Sequence, residues 1–288
     1  MKARLKKGIA AAAAVLAATT AISVGTAGGS GAATAAGLRA YGISSDGTLM
    51  ATFTTDRPQV LDWVRVVTGL SGDTALIGID FRVQNGLLYG VGTKGGIYTI
   101  TMPPVTADVV VTKVSQLTVP LYGTNFGVDF NPAADRLRVV SDNGQNLRHN
   151  LNDGTTIEDT TLTTPPLTGP ARGVTASAYT NNDLNPDSAT TLFGINTTTD
   201  QVVIQSPANN GTLAPTGALT VDAAPNAGFD IYSDLVNGKA AAVTAFATLL
   251  SPVGQAALYS VNLLNGEAAN AGQFPLPLAD LAIALDTN

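Results

Sequence analysis

The feature of this sequence that most restricts its fold is a short pattern that recurs about every 50 residues. The pattern is a small residue, an apolar residue, aspartate, and an aromatic or aliphatic residue. Clear copies lie at residues 78–81 (GIDF), 127–130 (GVDF) and 228–231 (GFDI), and copies without aspartate are predicted at 176–179 and 282–285. A period of this length is typical of propellers and solenoids.

Turn residues and alternating apolar segments follow the first four copies of the pattern. Asn85-Gly86 and Asn237-Gly238 are strong hairpin signals, because both central positions of such a turn must tolerate positive φ. Residues 240–250 could be read as a helix, but Val243, Thr244 and Phe246 after an Asn-Gly turn favour a strand. Each repeat therefore predicts four short antiparallel strands, which make one propeller blade.

The two ends of the predicted domain complete this count. Residues 38–43 and 48–54 resemble the second and third strands of a repeat, whereas residues 281–285 resemble a first strand. We therefore predict an all-β, five-bladed β-propeller with four-stranded blades, in which one blade is closed by both termini. A six-bladed ring is the alternative if residues 60–77 hold more strands. The sustained period disfavours a β-sandwich and a parallel β-helix.

The N-terminus has the composition of a secretory signal peptide. Its basic residues are Lys2, Arg4, Lys6 and Lys7, and residues 8–24 are apolar or small without a charge. Small-x-small cleavage patterns follow at 33–35 and, earlier, at 25–27. We predict a signal peptide and flexible leader over residues 1–36 and a single propeller domain over 37–288. The short apolar stretch disfavours an uncleaved anchor, and the absence of an arginine pair and of cysteine favours Sec-type export to the cell envelope, periplasm or medium.

Composition excludes several classes of function. Four of the 15 basic residues lie in the first seven positions, whereas all 21 acidic residues come later, so the predicted domain is strongly acidic. Such a surface repels phosphate backbones and anionic lipids, so we expect no nucleic-acid partner and no stable membrane insertion after cleavage. The chain has no cysteine, so disulfides and thiolate chemistry are excluded.

The sequence FGVDFNPAADRLRVVSDNGQNLRHN at residues 126–150, together with GIDF at 78–81 and LYGV at 88–91, carries a family resemblance. It resembles a bacterial family catalogued as a domain of unknown function, number 4394, over residues 37–286. The resemblance implies an exported propeller-like domain; it implies no reaction and no catalytic residues. The copy at 176–179 departs from the aspartate-containing pattern.

Asp80, Asp129 and Asp230 occupy equivalent positions in the predicted innermost strands, so a ring would bring them toward one axis. One hypothesis is a carboxylate cluster that binds a hard cation such as Ca²⁺. The simpler hypothesis is that each carboxylate caps a turn or bonds backbone N–H groups within its own blade. No other cofactor is predicted.

A second polar cluster combines Arg136 and Arg138 on one strand with Asn146 and Arg148 on the next. Arginine forks suit anionic or sugar ligands, and they equally suit pairing between blades with a carboxylate such as Asp129 or Asp80. Both interpretations stay open at this point.

Catalytic signals are weak. His149 is the only histidine, and no Gly-x-Ser-x-Gly motif occurs, so a serine-hydrolase triad is not predicted. With no cysteine and no second histidine, the chain also lacks the usual ligands of zinc. The glutamates are Glu158 and Glu267, both predicted on outer strands or turns, and Trp63 is the only tryptophan available for sugar stacking. We predict a non-enzymatic binding or interaction module for an extracellular ligand or protein. The alternative is an extracellular hydrolase or lyase, similar to a glycosidase, that uses the inner-strand carboxylates.

Overall fold

A computed structural model describes residues 37–102 and 107–287. The predicted signal peptide and leader, residues 1–36, lie outside the described residues. The described chain is all-β, and its one short helical segment is the 3-10 turn Ala208–Asn210. No helix in this part of the chain is long and apolar enough to cross a membrane.

The strands form one eight-stranded sheet and three four-stranded sheets. The eight-stranded sheet has the order β20-β1-β2-β3-β7-β6-β5-β4 and contains β1 (Arg39–Ser44), β2 (Leu49–Thr54), β3 (Trp63–Thr68), β4 (Leu76–Arg82), β5 (Leu87–Gly92), β6 (Gly96–Thr101), β7 (Val109–Gln116) and β20 (Leu278–Ile283). The second sheet contains β8 (Phe126–Asn131), β9 (Arg136–Ser141), β10 (Asn146–Asn150) and β11 (Thr155–Glu158).

The third sheet contains β12 (Val174–Tyr179), β13 (Leu192–Asn196), β14 (Gln201–Gln205) and β15 (Leu213–Ala218). The fourth contains β16 (Ala227–Val236), β17 (Lys239–Leu250), β18 (Ala256–Val261) and β19 (Ala268–Gln273). Strand β17 confirms the strand that the sequence predicts after Asn237-Gly238.

The eight-stranded sheet consists of two antiparallel groups of four strands that meet through a short parallel contact. Strands β3 and β7 pair only at Val67 with Val109 and at Thr68 with Val110. All other neighbours in this sheet are antiparallel. Each group therefore resembles the separate four-stranded sheets in size and strand order.

The first strand of each four-stranded group lies innermost, and these strands contact one another in a closed cycle. Strand β4 contacts β8, β8 contacts β12, β12 contacts β16, β16 contacts β20, and β20 contacts β4. Strands β12 and β20 are buried along their whole length. The apolar core lies between neighbouring sheets, where both faces of each inner strand are covered, as in the cluster that joins Ile195 and Phe193 to Phe229 and Ile231.

Glycine allows the inner strands to approach closely at one level of this cycle. A Cβ atom at Gly127 would lie 2.5 Å from the backbone nitrogen of Ser177 on β12. A Cβ at Gly228 would collide in the same way with the backbone of Asp280 on β20. At Gly127 and Gly228, the small residue that opens the recurring pattern is therefore required by backbone contact between adjacent sheets.

The C-terminal strand pairs with the N-terminal strand, as the sequence analysis expects, but in a different position. Strand β20 spans Leu278–Ile283, and Ala40 lies opposite Ile283 in the pairing with β1. The predicted strand at residues 281–285, and the pattern copy aligned at 282–285, were therefore wrong by two to three residues. Hydrogen bonds between inner strands give the correct alignment: Ala282, and not Ala284, occupies the aspartate position.

Candidate functional site

Three aspartates from different sheets meet between the inner strands. Asp80 on β4, Asp129 on β8 and Asp230 on β16 each place a carboxylate oxygen within 4.8 Å of the others. Their side chains are buried, with 2–4% of each residue exposed. We call Asp80, Asp129 and Asp230 the axial carboxylate cluster. The recurring pattern thus brings together the three residues that it singled out.

Each of these carboxylates accepts a hydrogen bond from the next inner strand of the cycle. The N–H of Phe130 donates to Asp80 Oδ2 at 2.7 Å, and the N–H of Tyr179 donates to Asp129 Oδ1 at 3.0 Å. The N–H of Ile283 donates to Asp230 Oδ2 at 2.5 Å. The simpler hypothesis, with bonds inside each blade, was therefore incomplete, because the aspartates bind neighbouring sheets to one another.

Asp280 is a fourth buried aspartate of the cycle, and the sequence analysis missed it. Its Oδ2 accepts the N–H of Ile79 on β4 at 2.8 Å, which closes the step from β20 to β4. Asp280 lies at the level of the glycines rather than of the other aspartates, since it faces Gly228. The signal was present: Ala279-Asp280-Leu281 matches the last three positions of the pattern, which are apolar, aspartate and aliphatic, about 50 residues after the preceding copy.

Burial and like charges shift the ionisation of these groups. Burial, followed by the charge of Asp230, raises the pKa of Asp80 well above its ordinary value. Burial and the charge of Asp80 do the same to the pKa of Asp129. Burial raises the pKa of Asp230 to about 6 and that of Asp280 well above its usual range. Three buried carboxylates this close to one another need protons or a cation to offset their charge.

The second predicted cluster divides into two parts. Arg138, which is 3% exposed, donates to Asp159 Oδ2 and to Asn146 Oδ1, at 2.8 and 2.7 Å. Arg148 Nε donates to both oxygens of Asp159, at 3.0 and 2.9 Å. We call these four residues, together with Asn209, which accepts from Arg138 at 2.7 Å, the arginine cluster. It joins the second sheet to the loop after β14.

The carboxylate in the arginine cluster is neither of those that the sequence suggested. Arg138 lies directly opposite Asp129 in the pairing of β8 with β9, yet its guanidinium reaches Asp159. Arg136 lies apart from the cluster and donates to the carbonyl oxygens of Ala134 and Asp135. Sequence reasoning missed Asp159 because it lies beyond β11, in a segment without a recognisable pattern.

His149 is fully buried between hydroxyl groups. Its Nε2 lies 2.8 Å from Ser115 Oγ, and its Nδ1 lies 2.9 Å from Thr156 Oγ1. Burial lowers the pKa of His149 below its ordinary value. The ring is thus held neutral between two hydroxyls, and no carboxylate occupies the orienting position of a catalytic triad among its bonds in the described chain.

Two cavities lie at opposite ends of the inner strands. The larger, about 470 Å³, is formed where these strands end, and its lining includes Phe81, Leu184, Leu235, Leu285, Asp183 and Asp286. The smaller, about 250 Å³, lies where the strands begin and includes Leu76, Ile77, Phe126 and Ala279. The axial carboxylate cluster lies between the two cavities along the inner strands and lines neither of them.

The structure of this chain is similar to several solved structures. The chain is similar in structure to a structural genomics protein of unknown function from Bacteroides thetaiotaomicron VPI-5482, with 16% identity and a TM-score of 0.49 over 88% of this chain and 68% of that chain. It is similar to the WD40 domain of Toxoplasma gondii coronin, with 12% identity and a TM-score of 0.39 over 80% of this chain and 55% of that one. It is also similar to Myxococcus xanthus glutaminyl cyclase, with 10% identity and a TM-score of 0.42 over 87% and 97%.

No curated protein matches the chain significantly. A family model does match it, over residues 49–282, which is most of its length and includes the axial carboxylate cluster. The four-stranded groups and the cycle of inner strands give the chain a propeller-like fold, and the family match shows that it belongs to the family described as "Domain of unknown function (DUF4394)".

Proposed function

We propose that this protein is an exported binding module, built as a closed ring of five four-stranded blades, whose ligand occupies the larger axial cavity. The blade count is supported by the cycle of contacts β4–β8–β12–β16–β20 and by the short β3–β7 contact, which leaves two groups of four strands. A crystal structure in which a sixth strand entered this cycle would contradict the count. Export rests on the basic residues and apolar stretch of the N-terminus, and intact-mass measurement of the secreted protein would locate its first residue, expected near Ala36.

The larger cavity carries the proposal. It lies where the inner strands end, and its walls combine leucine and phenylalanine side chains with Asp183 and Asp286. Its lining, drawn from the described residues, includes no lysine, arginine or histidine. Concave, mostly apolar sites with a few polar groups are typical of small-molecule binding. An apolar ligand that carries a positive charge matches this wall best.

Asp183 is fixed in place by neutral donors. Its Oδ2 accepts the Oγ–H of Ser188 at 2.9 Å and the N–H of Ala240 at 2.8 Å, and its Oδ1 accepts the N–H of Asn185. These bonds position the carboxylate without cancelling its charge. A bound ammonium group would therefore contact a carboxylate that is already ordered, so binding would not have to offset the conformational entropy of fixing that side chain.

Binding is favoured over hydrolysis by the position of the inner carboxylates. A glycosidase needs two carboxyl groups that flank the scissile bond. The axial carboxylate cluster is buried, lines neither cavity, and is bonded to backbone N–H groups. A substrate in either cavity would not touch it. Hydrolysis of chromogenic glycosides that disappeared in Asp129→Asn would contradict this choice.

The experiment uses three matched probes: 2-phenylethylammonium, neutral 2-phenylethanol and phenylacetate, each at millimolar concentration. Saturation-transfer NMR should show binding of the cation, weaker binding of the alcohol and none of the anion. Leu184→Arg places a positive charge at the cavity and should weaken binding of the cation by at least about tenfold. Leu184 is 62% exposed, so this variant should fold normally.

The matched control is Leu167→Arg, which changes another exposed leucine, 73% exposed, outside the cavity lining. It should bind the cation as the wild type does. No binding of the cation by the wild-type protein, or an equal loss in both variants, would overturn the proposed site.

A further inference from the structure

The axial carboxylate cluster presents more negative charge than its protein contacts offset. Its hydrogen-bond donors include the backbone N–H groups of Phe130, Tyr179 and Ile283, which are neutral. None of the ion pairs in the described chain involves these carboxylates. Buried ionised carboxylates are otherwise found paired with cations or coordinating metals.

A second, independent observation lies on the adjacent strand. Ser177 on β12 is 2% exposed, and its Oγ has no hydrogen-bond partner. Buried hydroxyl groups almost always have a partner, so an unpartnered one in a well-packed interface needs an explanation.

The alternation of β12 gives the direction of the Ser177 side chain. Residues two apart share one face of a strand, so Ser177 faces the same way as Tyr179. The Tyr179 hydroxyl accepts from Arg138 on β9, which shows that this face looks toward the second sheet. Opposite Ser177 stands Gly127, which has no side chain to fill the space, and two residues further along β8 is Asp129. The Ser177 hydroxyl therefore opens into the same gap between β8 and β12 that holds the Asp129 carboxylate.

We propose that Asp80, Asp129 and Asp230 bind one hard divalent cation of the size of Ca²⁺, and that the Ser177 hydroxyl, two residues along the same gap, binds a water molecule of the ion's coordination shell. Oxygen ligands of one Ca²⁺ lie about 2.3–2.6 Å from the ion, so any two of them are at most about 5 Å apart. The carboxylate oxygens of the cluster, within 4.8 Å of one another, meet this limit. Three carboxylates offset the charge of the ion, and the ion removes the repulsion between them.

The donor set selects the class of metal. It consists only of oxygen atoms, the chain has no cysteine, and His149, its single histidine, has both ring nitrogens bound to hydroxyls. Such a set suits hard cations rather than zinc or copper. An irregular set contributed by three separate strands suits the flexible geometry of Ca²⁺ better than the strict octahedron of Mg²⁺. The ion would tie together three sheets at their inner strands.

The test begins with full-length mature protein stripped by a chelator and dialysed into metal-free buffer at pH 7.5. Calorimetric titration with CaCl₂ should show one ion per chain, elemental analysis after dialysis should give the same ratio, and the melting temperature should rise by several degrees. Mg²⁺ should bind at least about tenfold more weakly. Absence of bound Ca²⁺ at millimolar concentration would overturn the proposal and assign protons to the cluster.

Variants locate the ion. Asp129→Asn should abolish Ca²⁺ binding, and Ser177→Ala should weaken it by about tenfold without lowering the melting temperature of the stripped protein, because the hydroxyl has no protein partner to lose. The matched control is Ser233→Ala, since Ser233 is a buried serine of another inner strand that accepts the N–H of Asn182. It should lower stability and leave Ca²⁺ affinity unchanged. Unchanged affinity in Asp129→Asn or in Ser177→Ala would place the ion elsewhere and contradict the site.

Discussion

The axial carboxylate cluster and the arginine cluster are both buried, both charged and both placed between sheets, but they balance charge in different ways. In the arginine cluster, two guanidinium groups share the carboxylate of Asp159, and amide oxygens of Asn146 and Asn209 accept further N–H groups of Arg138. In the axial carboxylate cluster, like charges meet, and the donors that the described chain offers them are backbone N–H groups, which are neutral. The same substitution, aspartate to asparagine, should therefore have different effects at the two places.

This contrast shows what a buried polar group contributes to stability. A matched pair is costly to break, because removal of one partner leaves an uncompensated charge in a poorly solvated place. A buried carboxylate whose ionised form is already destabilised should lower the free energy of unfolding less when its charge is removed. Burial alone therefore does not indicate how much stability a polar side chain supplies.

The largest effect is expected for Asp159→Asn. This change leaves Arg138, which is 3% exposed, without its carboxylate, and we expect a loss of about 3 kcal/mol in the free energy of unfolding, measured by urea denaturation. Asp62→Asn is the control, since its pair with Arg39 lies at the surface and should cost at most about 1 kcal/mol. Equal losses in the two variants would show that the arginine cluster is not a matched, buried network.

Much of the fold could be predicted from the sequence because the ring repeats itself. The glycine and the aspartate of the pattern perform the same tasks in successive sheets: Gly127 allows close approach, and Asp80 and Asp129 each bond the next strand. Because the pattern recurs, these positions could be identified from the sequence alone. It also predicted that Asp80 and Asp129 would come near Asp230.

The remaining features depend on contacts that no local pattern encodes. Asp280 was missed because the last copy was aligned on Ala282 and Ala284, although hydrogen bonding aligns Ala282 with the aspartate position. Arg138 finds Asp159 and Asn209 only because the chain folds back from another sheet, 71 residues away in sequence for Asn209. The cavity walls come from loops and strand ends, whose relative positions are set by packing of the whole ring.

A smaller effect is expected for Asp129→Asn in chelator-treated protein. The asparagine side-chain oxygen can still accept the N–H of Tyr179, and one of three like charges disappears. We expect the free energy of unfolding to change by no more than about 1 kcal/mol in either direction, under the same conditions as Asp159→Asn. Adding Ca²⁺ should stabilise the wild type and not this variant. A loss of 3 kcal/mol or more without metal would contradict the comparison, since it would show that the ionised carboxylate is already well compensated.

The smallest effect concerns His149, a buried titratable group whose partners are hydroxyls. Burial lowers its pKa below the ordinary 6.5, so the unfolded chain takes up a proton more readily than the folded one. The resulting contribution to stability is present above pH 6.5 and is lost as the pH falls through the lowered pKa of the folded state. We expect His149→Gln to remove this part of the pH dependence, so that the stability difference between wild type and variant shrinks by about 1 kcal/mol or less from pH 7.5 to pH 5. Taking this difference cancels the aspartates, which are common to both proteins and whose raised pKa values act in the opposite direction. A stability difference that stayed constant, or grew, as the pH fell would mean that Ser115 and Thr156 accommodate the imidazolium as well as the neutral ring, and that hydroxyls alone can balance a buried charge in this ring.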